Sequence, residues 1–269
     1  MGGRKGVLSV AVAGDTVQVE VGGRIAIVTI DRPAARNAID PETSRGLNEA
    51  FVAIEDDPEI WVSVITGVGD VFCAGADLKA LAAGRRLEIT DAEPWGFGGL
   101  VRPGRAQPVI AAVNGHALAG GLELVLACDL VVAAEEAQFG LPEVSRGIIA
   151  GAGGVWRLPQ QIPYRRAMEL ILTGDRIDAD EALRLGLVNE VVACTDVLPR
   201  ALDLATRICE NAPIAVRESR AIAAASPGLH DADGWRLAEA AWETVLASED
   251  ANEGPRAFAE RRPPRWSGR

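Results

Sequence analysis

The sequence predicts an α/β fold with a largely parallel central sheet. Along the 269-residue chain, apolar runs of strand length alternate with segments of helical pattern, which is the order expected when helices connect parallel strands. Several of the strand-like runs are almost continuously apolar, as in sheets that are buried on both faces. With 48% hydrophobic residues, the chain can form one large domain, or one domain with a smaller addition, at roughly 100–200 residues per domain.

A β-hairpin and an amphipathic helix are predicted first. Residues 17–21 alternate between apolar and polar side chains, a glycine pair turns the chain, and residues 25–30 form an apolar run. Asp40 before Pro41 is a helix start signal, because aspartate caps helix N-termini and proline is tolerated at the first helical position. The helix should end before Pro58, and its apolar face consists of Leu47, Ala50, Phe51 and Ile54.

Further strands and two short helices follow, separated by one long irregular segment. The predicted strands are residues 61–66, 108–114 and 129–133, and the predicted helices begin at Asp77 and span residues 120–127. Residues 84–107 contain several glycines, two prolines and little periodicity, so we expect at most a short helix there. Long irregular segments in compact domains are often lids or binding loops, and we predict that role for this one.

The last third of the chain is predicted to be helical. Helical patterns cover residues 165–172, 178–185, 197–210, 213–225 and 231–247, with breaks at glycines and prolines. From about residue 165 the C-terminal third is therefore predicted to form a helical layer.

Charge excludes two classes of partner. The 27 Lys and Arg residues against 38 Asp and Glu residues give a net charge of −11, whereas nucleic-acid binders and polybasic membrane binders need a concentrated positive field. The acidic excess is local, because residues 41–60 and 229–250 each carry six acids and one arginine and together hold −10 of the −11. The rest of the chain is nearly neutral, so an anionic small molecule is not excluded.

Cysteine and histidine usage predicts neither a metal site nor a disulfide framework. The four cysteines form no CxxC pair, and the two histidines do not stand at metal-ligand spacing from them. The N-terminal apolar run of residues 7–13 is too short and too polar for a signal peptide, and no apolar stretch of about 18 residues lacks a charge. We expect a cytoplasmic protein that does not span a membrane.

Glu123 is the first candidate catalytic residue. It is the only charged side chain between Asn114 and Asp129, and it lies among Leu and Val residues on a predicted helix that starts at a glycine pair. Burial would raise its pKa toward the range that is useful for proton transfer. A glutamate on the one wet face of the helix, or one satisfied by a buried partner, explains the pattern equally well.

A second acid and a glycine-rich segment follow. Glu143 stands after Pro142 at the predicted end of a short strand, and two acids near one pocket allow one to accept a proton while the other donates one. An isolated Pro-Glu pair is otherwise an ordinary turn. Residues 147–154 lack the spacing of a P-loop or a dinucleotide site, so tight backbone packing explains these glycines better than a phosphate cradle.

Two pairs of small residues could present backbone N–H groups to a developing negative charge. Gly75-Ala76 precedes one predicted helix and Gly120-Gly121 opens another, and N–H groups at helix N-termini lack partners within the helix. Two simple turns would use small residues as well, and the spacing does not show whether the two pairs meet.

The order of these motifs resembles that of the crotonase (enoyl-CoA hydratase/isomerase) superfamily. The resemblance covers residues 17–265 and rests on Arg32-Pro33 with Asn37-Ala38, residues 72–78, 108–115 and 119–124, Cys128-Asp129, and residues 139–143 with the glycines of 151–154. It implies a crotonase-like core, a repeated ββα spiral, over residues 1–195. It also implies that the helical region over residues 196–269 serves trimerisation, as a homotrimer or a dimer of trimers.

The resemblance assigns roles to the candidate residues. The backbone N–H groups of Ala76 and Gly120 would form an oxyanion hole for the thioester carbonyl of an acyl-CoA, and Glu123 and Glu143 would be the two carboxylates. A water held between the glutamates would add to Cβ of a 2-enoyl thioester. We assign water activation to Glu123 and proton exchange at Cα to Glu143, a division that a coupled pair leaves open. The further substrate-binding positions are Ala34, Arg36, Ala38, Ala74, Asp77, Leu78, Lys79 and Pro142.

Two of these positions carry a positive charge. Arg36 and Lys79 are reasonable partners for the CoA phosphates, and plain surface charge explains them equally well. The chain also departs from the family pattern, with Ala119 where a third glycine is common and Trp156 where polar residues are common. CoA is part of the substrate, so the resemblance implies no separate cofactor.

The predicted function is that of an enoyl-CoA hydratase, a lyase that adds water reversibly to a 2-enoyl-CoA. Both acids are retained, whereas family members with other reactions commonly lack one of them. Carnitinyl-CoA dehydratase is the close alternative, because residues 37–40, 96–100 and 248–266 resemble that branch, which also keeps both acids. An enoyl-CoA isomerase and a non-catalytic acyl-CoA-binding relative are further alternatives.

Overall fold

A computed structural model describes residues 8–9, 15–85 and 94–269 of the chain. Most of the predicted apolar run at residues 7–13, and residues 86–93 of the predicted irregular segment, lie outside the described residues.

Among the described residues, the larger sheet has seven strands in the order β1-β2-β3-β4-β6-β8-β11. These strands are β1 (Leu8–Ser9), β2 (Val17–Gly22), β3 (Ile25–Ile30), β4 (Val62–Gly67), β6 (Val109–Val113), β8 (Leu130–Ala134) and β11 (Glu190–Val192). The β2–β3 pair is antiparallel, and all pairs from β3 to β11 are parallel. The predicted hairpin and the largely parallel sheet are therefore confirmed.

A second sheet of four short strands, in the order β10-β9-β7-β5, was not predicted from the residues. It consists of β5 (Val71–Cys73), β7 (His116–Leu118), β9 (Gln138–Gly140) and β10 (Arg176–Asp178). Strands of three residues are too short to show a period of two, so they exist only because neighbouring segments supply their hydrogen bonds.

The helices lie between and after the strands. They are α1 (Pro41–Asp56), α2 (Leu78–Ala82), α3 (Gly120–Leu126), α4 (Gly154–Gln161), α5 (Tyr164–Thr173), α6 (Ala179–Leu185), α7 (Val197–Cys209), α8 (Pro213–Ala225), α9 (Asp231–Leu246) and α10 (Asp250–Glu260). The helices that the sequence predicts are confirmed, with ends that differ by one or two residues.

α1 illustrates how the local signals act. The Asp40 side chain accepts a 2.9 Å hydrogen bond from the Thr43 N–H, and Pro41 occupies the first helical position. The predicted apolar face is buried in the core, at 0–2% exposure for Leu47, Ala50, Phe51 and Ile54.

α10 was missed because its sequence argues against a helix. Pro255 lies inside it, and a proline removes one hydrogen bond of the helix ladder. Tertiary contacts stabilise the helix instead. Glu253 accepts hydrogen bonds from the Arg262 guanidinium and from the Arg265 N–H, which hold the C-terminal tail against α10.

The described part of the irregular segment packs against α1. A short 3-10 helix spans Phe97–Gly99, as the expectation of at most a short helix allows. The Asn48 side chain donates to the Gly96 carbonyl at 2.9 Å, and the Gly98 N–H lies 3.4 Å from the Ser44 hydroxyl. These contacts fix residues 95–99 beside the N-terminus of α3, where the candidate site lies.

The C-terminal helices differ in how they are covered. α7 packs against β4, β6 and β8, and three of its residues are buried. On α9, by contrast, Trp235, Trp242 and Leu246 are 65%, 63% and 55% exposed. No helix within the described residues is long and apolar enough to cross a membrane.

Candidate active site

Glu123 lies in the first turn of α3, in the interior of the protein. Its exposure is 4%, and every other residue of α3 is buried as well. The carboxylate oxygen Oε1 accepts a 2.9 Å hydrogen bond from the Gly154 N–H. The interpretation that Glu123 lies on a solvent-exposed face of the helix is therefore wrong. The carboxylate is buried and has a backbone hydrogen-bond partner.

The surroundings of Glu123 act on its pKa in opposite directions. Burial raises the pKa, because the charged form loses its hydration. The N–H groups of Gly154 and Ala152 and the positive charge of Arg157 lower it, since they favour the ionised carboxylate. Glu123 is thus a buried acid whose charged form has dedicated partners.

Glu143 is the second buried acid, at 6% exposure. It lies in a 3-10 helix (Pro142–Arg146), not at the end of strand β9, so its predicted position at a strand end is corrected. Burial raises its pKa to about 7, and the charge of Glu123 contributes to the rise. Its Oε2 is buried without a hydrogen-bond partner among the described residues. The two acids are close enough for the charge of one to act on the other, and they have different partners.

The glycine-rich segment before α4 serves the first acid. A β-carbon on Gly154 would lie 2.8 Å from the Ala150 β-carbon and 3.0 Å from the Leu141 side chain, so close packing explains this glycine, as expected. The close approach also aims the Gly154 N–H at Glu123. This contact was not anticipated, because the two residues are 31 positions apart and only the tertiary structure joins them.

Ala76 presents a free backbone edge to the site. Ile39 and Ala76 form a parallel bridge. The Ile39 N–H donates to the Gly75 carbonyl and the Asp77 N–H donates to the Ile39 carbonyl, both at 2.8 Å. The N–H of Ala76 itself therefore points away from Ile39, as the alternation of a parallel bridge requires.

The two pairs of small residues meet. A β-carbon on Gly75 would lie 2.8 Å from the Gly120 nitrogen, and Gly75 adopts a φ of +93°, so glycine is needed for both reasons. A β-carbon on Gly121 would lie 2.1 Å from the Cys73 carbonyl oxygen. The N-terminus of α3, where Gly120 is the first residue, is thus pressed against the segment that carries Ala76.

The predicted CoA-binding segment forms a tight turn next to Ala76. Ala34 lies in a 3-10 helix (Pro33–Ala35), and Arg36 and Asn37 both adopt left-handed backbone angles. The Asn37 amide donates to the carbonyls of Val68 and Val71 at 2.9 and 2.6 Å. The Ala74 N–H donates to the Arg36 carbonyl at 3.1 Å, which joins the turn to the Ala76 segment.

Arg32 clamps this turn to the start of α2. Its guanidinium lies 3.1 Å from the Asp40 carboxylate and 3.2 Å from that of Asp77, and it also donates to the Ala38 carbonyl. The Asp77 side chain caps α2 as well, accepting from the Lys79 N–H at 3.0 Å. The carboxylate of Asp77 is therefore engaged in the protein's own structure.

The remaining predicted positions differ in exposure. Ala34, Arg36, Leu78 and Lys79 are exposed, Ala38 is buried, and Pro142 opens the 3-10 helix that carries Glu143. A cavity of about 250 Å³ borders this region; its lining includes Ile39, Asp40, Ala76, Asp77, Leu81 and Arg85. Within the described residues, no group of three or more His, Cys, Asp or Glu side chains could hold a metal ion.

Comparison with known proteins agrees with this geometry. The family model for Enoyl-CoA hydratase/isomerase matches residues 20–269. The chain belongs to this family. A carnitinyl-CoA dehydratase of Salmonella paratyphi A is 46% identical over 255 residues, which cover 92% of the chain and 96% of the relative.

Solved structures of the family superpose over almost the whole chain. An enoyl-CoA hydratase from Mycobacterium tuberculosis has a TM-score of 0.90 at 45% identity, covering 95% of this chain and 100% of that one. A carnitinyl-CoA hydratase from Mycobacterium avium has a TM-score of 0.76 at 49% identity, with the same coverage. The expected crotonase fold is thereby confirmed.

Two residues of this family member border the site and were not singled out as site residues from the sequence. The Phe97 ring lies against Gly120, since a β-carbon on Gly120 would lie 2.5 Å from the ring's Cζ. Arg157 lies near Glu123 and donates to the Ala152 and Val101 carbonyls. The sequence does not reveal a role for this arginine, because it lies one turn into an amphipathic helix and its hydrogen-bond partners are backbone carbonyls of other segments.

Proposed function

We propose that this protein is a hydro-lyase acting on acyl-CoA thioesters, and that its reaction is the reversible addition of water to a 2-enoyl-CoA. The observation that carries the proposal is a pair of buried glutamates whose pKa values are both raised by burial. The pKa of Glu143 is raised to about 7, whereas Gly154, Ala152 and Arg157 act against the rise at Glu123. Such a pair can accept a proton at one carboxylate and donate one from the other.

The thioester carbonyl would accept hydrogen bonds from the backbone N–H groups of Ala76 and Gly120. Addition of hydroxide at Cβ pushes negative charge onto this oxygen, and fixed N–H donors stabilise that charge as it develops. The Ala76 N–H points away from its bridge partner, and Gly120 is the first residue of α3, so both donors are open to a ligand.

Glu123 is the group that holds and activates the water. Its ionised form is favoured by two N–H groups and Arg157, so it can accept a proton from water while the oxygen bonds to Cβ. Glu143 exchanges the proton at Cα, because a carboxyl group with a pKa of about 7 carries a proton in a large fraction of molecules near neutral pH. In the reverse direction the two groups exchange roles.

The CoA part would lie along the turn that contains Ala34, Arg36 and Ala38, with Ala74 beside it. The cavity next to Ala76 is lined by Ile39 and Asp40, which directly follow this turn, and by Asp77. Arg36 and Lys79 are exposed cations that could bind phosphates. CoA belongs to the substrate, and the proposed steps require no other cofactor or metal.

The proposal is tested by following the loss of crotonyl-CoA in the presence of the purified protein. Glu143→Gln should abolish hydration while leaving the binding of a CoA thioester largely intact, because the amide keeps the shape but cannot transfer the proton. Glu136→Gln, at an exposed glutamate in the turn between β8 and β9, is the matched control and should leave the rate unchanged. Equal turnover by Glu143→Gln and wild type would overturn the mechanism.

Carnitinyl-CoA dehydration is the second candidate reaction. It is supported by a relative named carnitinyl-CoA dehydratase at 46% identity and by a solved structure named carnitinyl-CoA hydratase at 49%. It would use the same pair of acids. A panel of crotonyl-CoA, longer 2-enoyl-CoA and crotonobetainyl-CoA distinguishes the two, by the ratio of kcat/KM values. A shifted double bond without hydration would instead identify an isomerase, and binding without turnover a non-catalytic relative.

We also propose that the protein assembles as a homotrimer or a dimer of trimers and is cytoplasmic. The exposed aromatic residues of α9, with Phe258 on α10 at 87% exposure, form apolar surface that association would cover. Light scattering coupled to gel filtration measures the mass directly, and a monomer would contradict this part of the proposal.

A further inference from the structure

We propose that Arg157 is a positioning residue of the hydratase site: its guanidinium joins the glycine-rich segment before α4 to residues 95–101 and puts a positive charge beside Glu123. The inference rests on the proposed function, because it concerns the residue that activates the water. It adds a role that neither the motifs nor the comparisons assign to this arginine.

The guanidinium bridges two segments that are distant in sequence. Nη1 donates to the Ala152 carbonyl at 3.1 Å, and Nη2 donates to the Val101 carbonyl. The planar fork of arginine suits this task, since its donors can satisfy two acceptors at once. The Trp156 ring lies 5.6 Å from the guanidinium carbon and adds a cation–π contact.

Gly153 has no side chain, and the guanidinium of Arg157 occupies the space where one would lie. A β-carbon at that position would lie 2.0 Å from Nη1, and the φ of Gly153 is +127°, where other residues are strained. Any side chain here would displace the arginine. The glycine is therefore part of the arrangement that holds Arg157 in its position.

The contacts of Arg157 reach Glu123 through the backbone. The N–H groups of Ala152 and Gly154 stabilise the Glu123 carboxylate, and the Ala152 carbonyl is held by Arg157. Losing the guanidinium would release one side of the loop that supplies these donors. The same change would remove a cation from beside a buried carboxylate.

Among the described residues, the charge that acts on Glu123 is that of Arg157 on α4. Glu123 in turn raises the pKa of Glu143, in the 3-10 helix that begins at Pro142. The strands β5 and β7 also pack against α3, but their titratable residues Cys73 and His116 are not among the groups that shift Glu123. Arg157 is thus the positive charge that offsets part of the effect of burial on the pKa of Glu123.

The sign of the expected effect follows directly. Hydration requires ionised Glu123, so the acidic limb of the pH–rate profile reports its protonation as the pH falls. Without the Arg157 charge the ionised form is less favoured, and the limb moves to higher pH. A neighbouring opposite charge lowers a carboxyl pKa by roughly 1–3 units, so a shift of about one pH unit is expected.

The experiment compares Arg157→Gln, Arg157→Lys and wild type in kcat/KM for crotonyl-CoA across pH. Arg157→Gln should move the acidic limb of the pH–rate profile to higher pH by about one unit. Arg157→Lys should restore the limb to within a few tenths of a unit of wild type, because it retains the charge, while kcat stays reduced since one carbonyl loses its donor. Arg165→Gln, the same charge change at an exposed position of α5, should leave the profile unchanged.

Two outcomes would overturn the inference. One is a folded Arg157→Gln variant whose acidic limb coincides with that of wild type, since a merely structural role lowers the rate without moving the limb. If Arg157→Gln does not fold, Arg157→Lys decides, and a limb shifted by a full unit despite the retained charge would contradict the proposal.

A readout without turnover separates this inference from the proposed function. If wild type hydrates none of the enoyl thioesters, the proposed function fails, and the Glu123 carboxyl is titrated by 13C NMR in labelled wild type and Arg157→Gln. Glu123→Gln assigns the signal. A titration midpoint that rises in Arg157→Gln supports the role of Arg157 in holding Glu123 ionised, and an unchanged midpoint refutes it.

Discussion

The Gly154 N–H and the Glu123 carboxylate are joined by a 2.9 Å hydrogen bond between α4 and α3. The bond orients one carboxylate oxygen of Glu123. The other acid, Glu143, has an oxygen without a hydrogen-bond partner among the described residues. The asymmetry explains how two neighbouring glutamates can have different protonation states at the same pH.

Replacing the first acid should separate structure from catalysis. In Glu123→Gln the amide oxygen can still accept from the Gly154 N–H, so the thermal unfolding temperature should change little. The rate should fall by about 10²–10⁴, the usual contribution of a general base. Turnover within threefold of wild type in a correctly folded variant would show that Glu123 does not activate the water.

Glu143 should make the protein less stable as the pH rises. Its folded pKa of about 7 lies above the ordinary glutamate pKa of 4.5, so the folded state binds the proton more tightly than the unfolded state. The stabilisation is complete below pH 4.5 and is lost as the pH rises to about 7, at a cost of up to about 3 kcal/mol.

Glu143→Gln removes this dependence, because the amide stays neutral. Its unfolding temperature relative to wild type should therefore increase between pH 5 and pH 8, measured at one protein concentration. Glu136→Gln, at an exposed glutamate in the turn between β8 and β9, should show a constant difference. A pH-independent difference for Glu143→Gln would mean that Glu143 is ionised throughout.

Ala119→Gly should stabilise the protein. Ala119 has a φ of +53° and a ψ of −127°, a conformation that glycine adopts without strain and alanine does not. Relief of the strain, less the entropy that glycine gains in the unfolded chain, should raise the free energy of unfolding by about 1 kcal/mol. Thermal unfolding should show a rise of about 2 °C, and a decrease would contradict strain at this residue.

Gly121→Ala should damage the site through its framework. The new β-carbon would lie 2.1 Å from the Cys73 carbonyl oxygen, so α3 must move away from the segment that carries Ala76. Unfolding temperature and hydratase rate should both fall. Gly22→Ala is the control, because no atom lies within 4 Å of a β-carbon there, and it should be close to neutral.

Prediction from sequence succeeded where a signal is local. The Asp40-Pro41 start of α1 and the alternation of β2 rest on neighbouring residues, and both are confirmed. It failed for the second sheet and for α10, whose Pro255 opposes a helix that Glu253 and the C-terminal tail stabilise. In these elements the long-range contacts outweigh the local preference.

For the site, the sequence by itself determined the candidate residues: two acids, two small residues with backbone N–H donors, and the segment from Ala34 to Ala38, selected by their order along the chain. Only the tertiary structure decided how they act. It buries both glutamates, presses Gly120 against Gly75, and brings Gly154 and Arg157 to Glu123. Burial, partner geometry and neighbouring charge set a pKa, and each depends on segments far apart in sequence, so no local pattern encodes them.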